Sequence, residues 1–77
     1  MNNERRKTIR SLVGQLETIK EEIDTLHSEE EGAMYSMPEN MQYNSARWDA
    51  AEEAMTQLDE AMTNIESVVD ALEEAAQ

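Results

Sequence analysis

Large aliphatic side chains recur along this chain in two runs, each with the spacing of a coiled coil. In the first run, Ile9, Leu12, Leu16, Ile19, Ile23 and Leu26 follow one another at intervals of 3, 4, 3, 4 and 3 residues. With Ile9, Leu16 and Ile23 at heptad position a, the residues Leu12, Ile19 and Leu26 fall at d. That is a narrow seam rather than the wider stripe of a globular surface helix. Val13 at e is the one flanking addition. Gly14 lies outside the seam and weakens the helix by about 1 kcal/mol relative to alanine. The repeat decays after Leu26, where Glu30 takes the next a position. The run "SEEEG" then places three acids where the helix dipole disfavours them, and Gly32 reads as the residue just past the helix end. The pattern predicts a first helix over about residues 4–31.

The second run is longer. Trp48, Ala51, Met55, Leu58, Met62, Ile65, Val69, Leu72 and Ala76 keep the alternation of three and four without a slip. Ala50, Ala54, Ala61, Val68 and Ala75 broaden this stripe with small side chains. A helix with one neighbour needs only a and d, so the widening points to a second close helix on that flank, from another copy or a partner. The predicted helix covers about residues 45–76, with Asn44 or Ser45 as its N-cap.

Between the two lies a joint at residues 32–44. Ser36-Met37-Pro38-Glu39 has the spacing of a capping box, and proline is tolerated in a first helical turn. A short helical turn is expected over residues 37–43, with Met37 and Met41 four apart on one face. The fold class that follows is all-α: one domain spanning 1–77, an antiparallel hairpin of two long helices with a short helical turn between them. Each helix would span about 45 Å at 1.5 Å per residue. With 39% apolar residues, no Phe and only three aromatics, no thick core is available. Hairpins this thin pair into bundles, so a four-helix bundle, as a homodimer or higher oligomer, is expected.

Charge sharpens the picture. The net charge is −12. Residues 1–10 carry Arg5, Arg6, Lys7 and Arg10 against Glu4, whereas the remainder carries only Lys20 and Arg47 against seventeen acids. Antiparallel packing would set the basic start of helix one beside Asp70, Glu73 and Glu74 at the end of helix two. It would likewise set Arg47 beside Glu29 to Glu31. Such pairs select a register more than they stabilise. A body this acidic repels nucleic-acid backbones, so direct binding of RNA or DNA is not expected. No apolar run approaches a membrane span and the N-terminus lacks a signal-peptide core, so no membrane association is expected and the cytoplasm is the expected location.

Candidate chemistry is sparse. Cysteine is absent, and no nucleophile–base pairing, phosphate loop or calcium loop occurs. His27, with Asp24 and Glu30 three residues either side, has a spacing seen in bundle metal sites. No buried acid partner completes such a site, and it reads as a rim histidine with no metal and no cofactor. An enzyme is not expected. Two constellations remain. Tyr35, Met37, Met41, Tyr43 and Trp48 gather at the joint, as a plug for the bundle end or as a surface for a partner or a second copy. Arg5, Arg6 and Arg10 suit a phosphate, and Arg47 beside Trp48 suits a stacked base, but one hairpin would hold these groups at opposite ends.

Around the joint the chain resembles a group of small phage and prophage proteins: acidic helical chains with a Met-Pro-Glu joint between two helices. The resemblance rests on Glu29 to Glu31, Tyr35, Met37-Pro38-Glu39, Gln42 and Ser45, and covers about residues 20–77. Arg47-Trp48 departs from that pattern. No activity comes with the group. What the resemblance implies is a small accessory protein in the cytoplasm of an infected bacterium, acting by stoichiometric occupation of a host protein, defence factors included. The other readings are a sponge for a nucleotide-type signalling molecule held between protomers, a nucleic-acid mimic, and a structural coil.

Overall fold

The computed structural model describes residues 1–77 as two long helices, α1 (Asn3–Tyr35) and α2 (Ala46–Ala75), joined by an elbow with a single 3-10 turn, Glu39–Met41. They fold back antiparallel into a rod of 59 × 15 × 11 Å. No helix is long and apolar enough to cross a membrane.

Both helices start where a side chain takes up an orphan N–H. The Asn2 carboxamide oxygen accepts from the Arg5 N–H at 2.9 Å, and the Ser45 hydroxyl accepts from the Trp48 N–H at 3.1 Å. Each such cap is worth about 1 kcal/mol. The end of α1 differs from the expectation. Gly32 is helical with no positive φ, and α1 runs on to Tyr35. The helix stops at Ser36, two residues before Pro38, which has no N–H to continue the ladder; the Ser36 N–H and hydroxyl both donate to the Gly32 carbonyl, at 3.1 and 2.7 Å. No capping box forms: Ser36 ends α1 instead of opening the next turn. Pro38 then adopts extended backbone (φ −55°, ψ 145°), and the turn after it has no side-chain cap. The helical turn expected over 37–43 shrinks to three residues.

The seam of α2 is the predicted one. With Trp48, Met55, Met62 and Val69 at a and Ala51, Leu58, Ile65 and Leu72 at d, all eight are buried or half-buried. The seam of α1 is not. Its covered residues are Arg6, Ile9, Val13, Leu16, Lys20, Ile23, His27, Glu30 and Met34, spaced 3, 4, 3, 4 to the end, and every other residue of α1 is exposed. The hairpin therefore closes on the a and e columns of α1. The d column is left outside: Leu12 is 41%, Ile19 45% and Leu26 52% exposed.

Two polar contacts line the side of the seam that this rotation closes. Lys20 and His27 both sit at e. Lys20 pairs with Glu66, and His27 Nε2 lies 3.2 Å from Asp59 Oδ1. Position e of α2 is wholly acidic (Glu52, Asp59, Glu66, Glu73), so turning the e column of α1 toward it matches charge across the seam. The stems of Lys20 and His27 cover apolar surface while their polar tips reach the rim. These are the two side-chain contacts of this kind between the helices, Lys20–Glu66 being the ion pair. The expected pairing of Arg5, Arg6, Lys7 and Arg10 with Asp70, Glu73 and Glu74 does not form, nor does that of Arg47 with Glu29 to Glu31. Instead Arg6 Nε donates to the Ala76 carbonyl at 3.0 Å, placing a cation on the carbonyl end of α2 itself.

Candidate functional site: the aromatic elbow

The elbow is held by short-range hydrogen bonds that leave its rings in fixed places. Gln42 spans it from within, its side-chain N–H group donating to the carbonyls of Met37 at 3.0 Å and Tyr35 at 3.4 Å. The N–H of Met41 donates to the Pro38 carbonyl at 2.8 Å, which closes the 3-10 turn. Ser45 links the turn to α2: its hydroxyl donates to the Met41 carbonyl at 2.6 Å while accepting from Trp48. Tyr43 has φ 66°, a left-handed conformation rare outside glycine and costing a side chain about 1–2 kcal/mol. That reversal lets the chain turn back over the first residues of α2.

Trp48 is the centre. It is 2% exposed and packs with Met34 and Ala51, with Met37 and Met55 against their edges. Its indole N–H donates to Glu52 at 2.9 Å, one helical turn on. Two tyrosines use its ring as a platform. Tyr35 meets it edge-on at 5.5 Å and 85°, and Tyr43 tilts over it at 4.5 Å and 45°. Both are themselves exposed, Tyr35 to 59% and Tyr43 to 70%. Below them an open groove of about 330 Å³ runs along the rod, lined by Met34, Tyr35, Glu52, Met55, Thr56 and Asp59.

The sequence-predicted residues therefore divide. Tyr35, Met37, Met41, Tyr43 and Trp48 do come together. Trp48 is the buried support, Met37 and Met41 are half-buried, and only the tyrosines are on display. Arg5, Arg6 and Arg10 lie at the far end of the 59 Å rod from Arg47 and Trp48, and no single chain brings them together. Trp48 keeps no free face on which a base could stack. Met34, beside Tyr35 in the joint's run of methionines, joins the cluster as well. Two contributors escaped the sequence reading, Glu52 and Gln42. Glu52 was legible as the residue four beyond Trp48 on one helix face. Nothing local announces Gln42, because its partners depend on the elbow's closure.

His27 is on the rim, paired with Asp59 across the seam rather than with Asp24 or Glu30, and no three of the histidine and acidic side chains converge as metal ligands would. A second hollow of about 400 Å³, lined by Glu17, Lys20, Glu21, Asp24 and Met62, is a charged stretch of rod surface. The fold and site together define a helical hairpin with an aromatic tip. No family model, curated protein or solved structure matches the chain.

Proposed function

We propose that this protein is a non-enzymatic binding module that occupies a protein of a bacterial host stoichiometrically, with the aromatic elbow as its contact. The observation that carries the reading is the pair of exposed tyrosines, Tyr35 and Tyr43, pinned against a buried tryptophan. Rings held this way lose little entropy on binding, and tyrosine is enriched where a few residues carry most of an interface's energy. The strained backbone of Tyr43 supports the same reading. A left-handed turn at a non-glycine residue persists where its surroundings over-determine it, and such strain clusters at binding sites.

Charge narrows the partner. Glu29 to Glu31, Glu39, Asp49, Glu52 and Glu53 surround the elbow, with Arg47 the nearby cation. A basic surface with an apolar hollow, able to admit one or both tyrosines, is the complementary shape. The resemblance to small phage-encoded acidic proteins supports a bacterial cell, and defence factors in particular, as the place to look.

Tagged protein incubated with bacterial lysate should retain one partner at a fixed ratio. Capture should fall at least tenfold in Tyr43→Ala and Tyr35→Ala, with helicity kept, and should weaken steeply with salt. Capture unchanged in both variants would sink the proposal.

A further inference from the structure

We infer that this chain forms a dimer by stacking two hairpins face to face, with elbows at opposite ends, through the apolar face opposite its ion pairs. This does not rest on the role proposed for the elbow.

The two broad faces of the hairpin differ. One carries Lys20–Glu66 and His27–Asp59, formed between the e columns of the two helices. Heptad geometry puts the d column of α1 and the g column of α2 on the other face. That face presents Leu12, Ile19 and Leu26 beside Ala54, Ala61 and Val68. All three aliphatics of α1 are exposed, as is Val68 at 47%. Flanking them, the c column of α2 (Ala50, Gln57, Asn64, Ala71) has no charge at all, in a chain of net charge −12. A seven-residue repeat of leucine and isoleucine with nothing against it is half of a helix–helix interface.

Area supports a missing partner. A monomer of this mass ordinarily exposes about 4,800 Å². This chain exposes 5554 Å² and buries only five of its 77 residues. The excess of about 800 Å² matches what one partner contributes to a standard interface.

The pattern identifies that partner as a second copy and sets its direction. On α1 the row is symmetric about Ile19. On α2 the row from Ala54 to Ala75 is symmetric about a point between Ala61 and Val68. The Lys20–Glu66 pair places those two midpoints level along the rod, to within about 4 Å at 1.5 Å per residue. A two-fold axis crossing the rod there returns both rows onto themselves. It sets Ile19 against Ile19, Leu12 against Leu26, and the small columns of α2 against each other, where alanine permits close approach. All four helices then run antiparallel to their neighbours. The same operation lays the basic first turns of each copy (Arg5, Arg6, Lys7, Arg10) alongside the acidic elbow of the other. Elbows at the same end would instead bring the basic ends together.

Sedimentation equilibrium at micromolar concentration should give twice the chain mass of 8.8 kDa. Ile19→Glu should reduce it to the single-chain mass with far-UV helicity retained. Thr63→Glu, on the opposite face, should leave the dimer intact, as should Tyr43→Ala. The chain has no cysteine, so direction can be read by oxidation. Ile19→Cys should cross-link to itself, and Leu12→Cys should cross-link to Leu26→Cys in a mixture but poorly to itself. A wild-type mass of one chain would overturn the inference, as would a dimer that survives Ile19→Glu. If Ile19→Glu fails to fold, the cross-links decide: efficient Leu12→Cys self-linking or no Ile19→Cys linking refutes the arrangement.

Discussion

Replacing Trp48 with alanine tests whether the elbow is the packed end of this rod. Trp48 is 2% exposed, so truncation removes nearly the whole ring from an apolar site. About 200 Å² of lost apolar burial at 25 cal/mol per Å² is about 5 kcal/mol, an upper bound because the unfolded chain already shields some of it. Tryptophan-to-alanine changes at buried sites cost about 3–5 kcal/mol. The contacts with Tyr35 and Tyr43 add about 0.5–1.5 kcal/mol apiece beyond area. A domain of 77 residues has about 4–12 kcal/mol in all. The expected loss, about 4 kcal/mol, is therefore a third of the total or more. Trp48→Phe keeps a ring and loses the hydrogen bond to Glu52, so about 1–2 kcal/mol is expected. Urea denaturation followed by far-UV circular dichroism is the suitable assay, because the substitution removes the chain's only tryptophan fluorophore. Protein concentration must be held fixed, since self-association shifts apparent stability. A loss below about 1 kcal/mol for Trp48→Ala, with the denaturant slope unchanged, would refute the packing described for the elbow.

Two further outcomes follow from the helices. A Cβ added at Gly14 or Gly32 would meet nothing within 4 Å, and neither glycine has positive φ, so alanine at each should stabilise by about 0.5–1 kcal/mol in the same assay. A loss at either site would show that something presses on that position. The hydrogen bond that Lys20 donates to Glu66, opposed in part by desolvation, holds the ammonium above its ordinary 10.5. Because the folded value is the higher one, its contribution is complete below 10.5 and disappears as pH rises through the folded value. Melting temperature should thus fall more over that alkaline range in wild type than in Glu66→Gln, and equal falls would refute the linkage.

The helices themselves were legible because periodicity is a local property. Strict alternation of three and four, few breakers and an oxygen-bearing residue before the second run specify two long helices and, with a short joint, their antiparallel return. Gly32 misled because glycine is common after helices, while the actual stop comes at Ser36, two residues before Pro38. The gathering of aromatics at the joint was visible, but the sorting of Trp48 to the inside and the tyrosines to the outside was not. Ring position there depends on Gln42 and Ser45 closing the elbow around it.

The amino-acid sequence alone determined that α1 carries three usable columns: apolar residues at a and d, and at e a mixture of Val13, Lys20 and His27. It could not choose which two would face α2. Hydrophobicity alone favours a with d, and that was the natural expectation. The fold closes a with e instead, and there a lysine and a histidine cover apolar surface with their stems while their tips reach the acidic column of α2. Which side of a helix turns inward depends on the whole surface that stands opposite, and for α1 that surface, from Trp48 to Leu72, lies tens of residues away in the chain.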